Sequence, residues 1–256
     1  MSQADITTLH GWAMHGGLFE ELASGCPEAR WHRMDLPGHG LRRGQPWPER
    51  AEALLDDVIE RAPPGTWLMG WSLGGLLAIQ AFLRRPAVFA GLVLIAANPR
   101  FAASDHWPHG ADPALLKAMA LELADKPESA LVRFLALETR GSANAGEALR
   151  RLRARALQHG LPDKAALVAG LKHLAEADVT ARLGEIAAPV LLIGGQRDRM
   201  VPWAALEAAR DRLPDGRLVG IPDAAHAPFL TDRSAVAGAM RDFIAQRSPA
   251  SRASAA

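Results

Sequence analysis

Short apolar runs alternate along this chain with segments whose apolar residues recur every three or four positions. Ile6–Leu9, Trp31–Met34, Trp67–Gly70, Leu92–Ala97, Val190–Gly194 and Arg217–Ile221 have the length and the bounding turn residues of β-strands. Between the second and third runs, Ala51, Leu54, Leu55, Val58 and Ile59 share one helical face, and Pro63-Pro64-Gly65 stops it. Further helices are predicted at Leu76–Arg84 and from about Ser234 to Arg247. Strand–helix alternation of this kind predicts an α/β fold: a mainly parallel, six-stranded sheet flanked by helices.

The alternation breaks between Asn98 and about Ala187. Helical spacing continues near Ala114–Leu123, Ser129–Thr139, Ala145–Leu157 and Lys164–Leu174, with no convincing strand among them. The expected organisation is therefore a core of residues 1–98 and 188–247 with a helical insertion at 99–187. Such an insertion lies over the carboxyl ends of the strands, where open α/β sheets bind ligands, and reads as a lid. The tail at 248–256 is small and polar and is expected to be disordered.

Composition narrows the class. A chain of 256 residues, 49% of them apolar, suits one large α/β domain with room for a sizeable core. The 29 basic and 28 acidic residues leave a formal charge of +1. That balance argues against a nucleic-acid or membrane-surface protein as a whole, while leaving a local basic patch open. Cys26 is the only cysteine, so neither an intramolecular disulfide nor a cysteine metal cluster can form, and the nine histidines lack metal-binding spacing. Met1–Thr8 shows no signal-peptide pattern, and no apolar run reaches the length of a membrane span. The expectation is a cytoplasmic monomer with no metal and no cofactor, and with neither nucleic acid nor membrane as a partner.

Candidate chemistry centres on Gly70-Trp71-Ser72-Leu73-Gly74. A nucleophilic serine needs a sharp strand-to-helix turn to project its hydroxyl, and glycines beside it let the neighbouring backbone approach. The three fixed letters arise by chance in roughly one chain of this length in ten. Context therefore decides: a buried strand precedes them and a helix follows, as in the α/β-hydrolase fold. Serine also needs a base, which in this fold comes last in the chain order Ser, Asp or Glu, His. His226 lies in a loop of small residues after the last strand, whereas His159 and His173 fall within helical patterns of the insertion and read as surface residues. Asp198, directly after the apolar Val190–Ile193, is the candidate acid that orients the histidine. The other usual location, after the fourth strand, offers Asn98 and no carboxylate, and Asp223 is too near His226 in the chain. An oxyanion hole requires the main-chain N–H of Leu73 and one from the loop after the first strand, which points to Trp12; the alternative for Trp12 is a plain core residue. Arg150, Arg151, Arg153 and Arg155, with Arg133 and Arg140 upstream, form either a solvated helix face or a dock for an acidic partner.

Leu9-His10-Gly11-Trp12, Asp35-Leu36-Pro37-Gly38-His39-Gly40, Gly70-Trp71-Ser72-Leu73-Gly74-Gly75-Leu76 and Ala224-Ala225-His226-Ala227-Pro228-Phe229 resemble the pimeloyl-[acyl-carrier protein] methyl ester esterases of biotin synthesis. Asp105-His106-Trp107-Pro108 and Arg133-Phe134-Leu135-Ala136-Leu137-Glu138-Thr139 resemble segments of that family's lid, and the likeness runs from about Thr8 to Ile244. It implies removal of the methyl group from a pimeloyl methyl ester held on acyl carrier protein. The family's triad positions match Ser72, Asp198 and His226. Its substrate contacts match Trp12, Ser72, Leu73, His226 and the run Phe134, Leu135, Ala136, Leu137 and Glu138, and its carrier-binding arginines match Arg133 and Arg150. Unlike this family, the chain has only Met1–Asp5 before the first strand, so a preceding strand pair is expected to be missing. Trp31–Met34 would then form a sheet edge, and Arg30, His32 and Arg33 would discourage pairing with other chains. A general short-chain carboxylesterase, a C–C bond hydrolase of the same fold and a non-catalytic binding module remain as alternatives. Dehalogenases are excluded by the serine, since they carry aspartate at that point.

Overall fold

The central strands are set by apolar runs with both faces covered. In the computed structural model, which describes residues 3–247, six strands form one sheet: β1 (Asp5–Leu9), β2 (Arg30–Met34), β3 (Thr66–Trp71), β4 (Phe89–Ile95), β5 (Val190–Gly195) and β6 (Gly216–Ile221). Their order is β2-β1-β3-β4-β5-β6 and every pairing is parallel. β3 and β5 are buried at every position, whereas β2 and β6 are mostly half-exposed. The uninterrupted apolar runs at β3 and β5 follow from that placement, since parallel central strands have no solvent face. β2 forms an edge of the sheet among the described residues, and no strand precedes β1 there. Asp5 on β1 takes His32 at 2.6 Å and Arg30 at 3.7 Å across that edge pair.

Ten helices complete the described chain. α1 (Glu20–Ser24) follows β1, α2 (Ala51–Arg61) follows β2, and α3 (Leu73–Arg84) follows β3. α4 (Pro113–Asp125), α5 (Pro127–Thr139), α6 (Ala145–Ala156) and α7 (Lys164–Glu176) lie between β4 and β5. α8 (Trp203–Arg210) joins β5 to β6, and α9 (Pro228–Thr231) and α10 (Arg233–Arg247) end the described chain. α2 packs on α3, and α1 on α10. Each fully buried Leu, Ile or Phe in these contacts contributes about 1.5–3 kcal/mol of transfer free energy.

Several boundaries shift by a few residues from the sequence pattern, two of them beside the site. β4 stops at Ile95 rather than Ala97, because Ala96 turns to φ 43° and leaves the extended region. α3 begins at Leu73 rather than Leu76, directly behind Ser72. The four insertion helices stand within a few residues of their predicted limits. They bury Leu116, Met119, Leu123, Leu131, Phe134, Leu135, Leu152, Leu167, Leu171 and Leu174. Side-chain bonds tie the insertion to the core: Trp12 Nε1 donates to Leu167 O at 2.8 Å, and a ring nitrogen of His15 meets Arg155 O at 2.8 Å. His159 is a correction: it lies in the turn after α6, half-buried with its ring 4.6 Å from that of His15. His173 is on α7 as expected, yet half-buried and bonded to Gln80 at 2.7 Å.

The tail at 248–256, expected to be disordered, lies outside the described residues. Among the described residues no helix is long and apolar enough to cross a membrane.

Candidate active site

Ser72 sits between β3 and α3 at φ 54° and ψ −119°, a conformation that L-residues rarely adopt. Such strain persists only where the surroundings over-determine it. Here they do: a Cβ on Gly70 would overlap the carbonyl of Gly74, and one on Gly74 would overlap the carbonyl of Leu9. The two glycines of the motif are therefore what lets α3 start directly against β1 and β3.

His226 reaches this turn from the loop after β6. Its Nε2 lies 2.8 Å from Ser72 Oγ, and its Nδ1 lies 2.8 Å from Asp198 Oδ2. Because a carboxylate accepts, Nδ1 carries the proton and Nε2 is left to accept from the serine hydroxyl. Asp198, after β5, is held by its other oxygen, which accepts from the main-chain N–H of Met200 at 2.8 Å and of Val201 at 3.0 Å. All three side chains are buried, His226 completely. An imidazole in this position can take the serine proton and, once charged, is stabilised by the carboxylate behind it. Asp223, the acid set aside on sequence distance, is exposed and paired with Arg197.

Two main-chain donors come from segments next to this turn: Leu73 directly follows Ser72, and Trp12 lies in the loop after β1, which pairs with β3. Neither Trp12 N nor Leu73 N donates to any group among the described residues. Both residues are buried, and buried main-chain N–H groups are almost always paired. The loop after β1 and the first residue of α3 thus each leave one main-chain donor unused. The Trp12 side chain is core: its indole packs edge-on against Phe134 with centroids 4.7 Å apart. The core reading of the Trp12 side chain therefore holds, while its main-chain N–H is a donor with no partner among the described residues. Ala13, immediately after it, has φ 63°, so the loop carries strain like the serine turn.

Of the run on α5, Phe134, Leu135 and Glu138 point inward, Leu137 is half-buried and Ala136 is exposed. A contiguous run on a helix cannot line one pocket throughout, because successive residues are rotated by 100°. Glu138 is unusual. It is completely buried, neither carboxyl oxygen has a partner, and its main-chain oxygen accepts from His226 N at 3.1 Å. Burial, and then the charge of Asp198, push its pKa well above the ordinary range. The folded protein holds this carboxyl neutral where the unfolded chain ionises it. The associated stability is present below the unfolded pKa, near 4.3, and is lost as pH rises toward the folded value. Glu138→Gln is expected to remove this loss, gaining on the natural protein by up to about 1.4 kcal/mol per pH unit above pH 4.5. Urea unfolding at pH 5 and pH 8 measures it; equal differences at both would refute the assignment.

The arginine cluster divides. Arg151 pairs with Glu21, and Arg155 with Glu20 and Glu21, fastening α6 to α1. Arg133 is exposed beside Glu122 at 3.3 Å, and Arg150 and Arg153 are exposed. Sequence reading missed the roles of His10 and Trp71. His10 Nδ1 meets Gly11 O at 2.8 Å and its Nε2 accepts from Leu36 N at 3.0 Å, which ties the Trp12 loop to the loop after β2. Burial first, and then His39, press its pKa well down, so it is a neutral strut. Trp71 Nε1 donates to the main-chain oxygen of His226 at 2.8 Å. The histidine and tryptophan inside the two quoted motifs were the available signals. Among the described residues no group of His, Cys, Asp and Glu is placed to hold a metal ion.

Residues 7–233 match the family model described as the alpha/beta hydrolase fold. A curated relative in Stenotrophomonas maltophilia (strain R551-3), named pimeloyl-[acyl-carrier protein] methyl ester esterase, is 41% identical over 247 residues, covering 96% of this chain and 95% of its own length. A relative of the same name in Xanthomonas oryzae pv. oryzae is 40% identical over 241 residues, 94% of each chain. Among solved structures, an esterase from Exiguobacterium antarcticum superimposes with a TM-score of 0.83 at 19% identity, covering 95% of this chain and 92% of that one. A hydrolase from Oleispira antarctica gives 0.84 at 16% identity over 96% and 92%. These two likenesses concern the fold.

Proposed function

Because this chain belongs to the alpha/beta hydrolase fold family and, within it, to the pimeloyl-[acyl-carrier protein] methyl ester esterases, we propose that it hydrolyses the methyl ester of pimeloyl-acyl carrier protein in biotin synthesis. The observation that carries the reaction type is the unbroken hydrogen-bond chain Ser72 Oγ–His226 Nε2, His226 Nδ1–Asp198 Oδ2, 2.8 Å at each step. Ser72 Oγ adds to the ester carbonyl as its proton passes to His226. The carbonyl oxygen takes up the negative charge and is held by the N–H groups of Trp12 and Leu73. The carbon–methoxy bond then breaks, and His226 returns the proton to the leaving methoxy group as methanol. Water repeats the sequence on the acyl-serine, with His226 as base, and releases the pimeloyl carboxylate. No cofactor or metal enters the balance: ester and water give acid and methanol.

Residues 99–187 act as the lid in this reading. Trp12, Leu73, Phe134, Leu135, Leu137 and Glu138 border the acyl chain, and Ala136 supports the helix from outside. The enzyme works as a cytoplasmic monomer. The direct test is mass spectrometry of the methyl-pimeloyl carrier after incubation: loss of one CH₂ from the acyl group, with release of methanol, is expected. An unchanged carrier alongside rapid cleavage of p-nitrophenyl butyrate would leave only a general esterase.

Carrier docking is a separate expectation. Acyl carrier proteins are acidic, and the exposed Arg133 and Arg150 present positive charge on α5 and α6. Opposite charges at a rim speed association and weaken with salt. Arg133→Glu combined with Arg150→Glu is expected to lower kcat/KM for the carrier-bound ester at least about tenfold, which is about 1.4 kcal/mol. Hydrolysis of p-nitrophenyl butyrate should change less than about threefold, because the triad is untouched. Equal losses on both substrates would indicate a damaged lid instead.

A further inference from the structure

The loop that carries His226 is built from residues that cannot anchor themselves. Ala224, Ala225 and Ala227 flank the histidine, and all are buried, so only main-chain groups can fix the loop. On the core side Trp71 Nε1 holds His226 O at 2.8 Å, and Arg197 N donates to Ala224 O at 3.0 Å. The other side is held by the end of α5 and the connection between α5 and α6. His226 N donates to Glu138 O at 3.1 Å, Ala225 N donates to Ser142 Oγ at 3.1 Å, and Ala143 N donates to Asp223 O at 3.0 Å. Gly141, at φ 105°, makes the turn that brings Ser142 to the loop, and its carbonyl accepts from Arg197 Nη1 at 3.4 Å. Three points of the histidine loop, Asp223, Ala225 and His226, are thus bound by a segment of the insertion eighty or more residues away in the chain.

We propose that the end of α5 together with the α5–α6 connection, residues 138–144, clasps the histidine loop and that Ser142 is a positioning residue for His226. Ser142 is the one side chain in the clasp that bonds the loop's main chain from the insertion. Its hydroxyl satisfies an N–H that is otherwise buried and orphaned, since Ala225 is 1% exposed. Catalytic geometry is demanding, because a misplacement of about 1 Å from a change away from the chemistry can cost about 10²-fold in rate. The clasp makes the insertion part of the catalytic machinery as well as a cover: whatever moves α5 and α6 moves the support of the histidine. This proposal rests on the reading of Ser72, His226 and Asp198 as the catalytic triad.

The test uses the full-length protein and p-nitrophenyl butyrate. Ser142→Ala is expected to lower kcat about tenfold while KM stays within about twofold, because the acyl pocket is not touched. Ser142→Thr keeps the hydroxyl and is expected to restore kcat to within about twofold of the natural protein. A general structural defect would also be met by threonine no better than by alanine, so failure of Thr to restore the rate overturns the positioning role. Unchanged kcat in Ser142→Ala overturns it as well. Should Ser142→Ala fail to melt cooperatively, Arg197→Met carries the test, since Arg197 reaches Gly141 O from a half-exposed position. A kcat loss of about threefold at constant KM then supports the clasp, and no loss refutes it. Ser72→Ala run in parallel separates the two readings: an active Ser72→Ala protein removes the triad, whereas an inactive one beside a fully active Ser142→Ala protein removes only the clasp.

Discussion

Ser72→Ala is expected to reduce kcat for p-nitrophenyl butyrate by roughly 10⁵–10⁶-fold, with the fold intact. In the proposed reaction the Ser72 hydroxyl is the group that bonds to the ester carbon, and it lies 2.8 Å from Nε2 of His226, the proposed base. Without it, His226 and Asp198 have nothing to activate. What remains is the pocket and the two main-chain donors at Trp12 and Leu73, which in serine hydrolases leave about 10³–10⁴-fold over water. Alanine also fits the site, since Ser72 is 3% exposed and its hydroxyl bonds only to His226. Circular dichroism and a thermal melt should match the natural protein, with stopped-flow or endpoint assays reporting the rate. Turnover within tenfold of normal by the folded variant would eliminate Ser72 as nucleophile.

Asp198→Asn carries the second-largest effect, a fall of about 10⁴-fold in kcat. The physical cause is the imidazole tautomer. Asp198 accepts from Nδ1 of His226 at 2.8 Å, so the lone pair sits on Nε2, facing Ser72. An asparagine can present its NH₂ to Nδ1, which moves the proton to Nε2 and points a donor at the serine. The two main-chain bonds from Met200 and Val201 to Oδ1 hold the replacement in place, so the loss is electronic rather than structural. Asp223→Asn is the paired control. Its carboxylate is exposed beside Arg197, and its loss should cost less than about fivefold. A reversal of the two effects in steady-state kinetics would transfer the acid role to Asp223.

Period and punctuation were enough for most of the fold. The six runs of strand length and the four helical patterns of the insertion correspond to observed elements within a few residues. α8 escaped because its eight residues, half of them alanine, give two turns, too few for the period to stand out. The end of β4 escaped because the turn at Ala96 has no glycine to announce it. At the site, Ser72, Asp198 and His226 were legible because this chemistry needs fixed residue types in a fixed chain order at the ends of strands.

Apolar period and the glycine-flanked serine are written in consecutive residues, and chain order is read directly along the sequence, so reading the chain was sufficient for the six strands, the insertion and the three triad candidates. Side-chain state is not local. Glu138 lies two residues from an exposed alanine on the same helix, and only burial beside the His226 loop, with the charge of Asp198, raises its pKa well above the ordinary range. Arg150 and Arg151 are adjacent in the chain, yet one faces solvent and the other pairs with Glu21, because a helix sends neighbours 100° apart. The orphaned N–H groups of Trp12 and Leu73 come from a loop and a helix start sixty-one residues apart, and Ser142 bonds Ala225 across eighty-three. Such pairings depend on the order in which strands enter the sheet and on where the insertion lands, and no spacing along the chain encodes a distance between segments that meet only after folding.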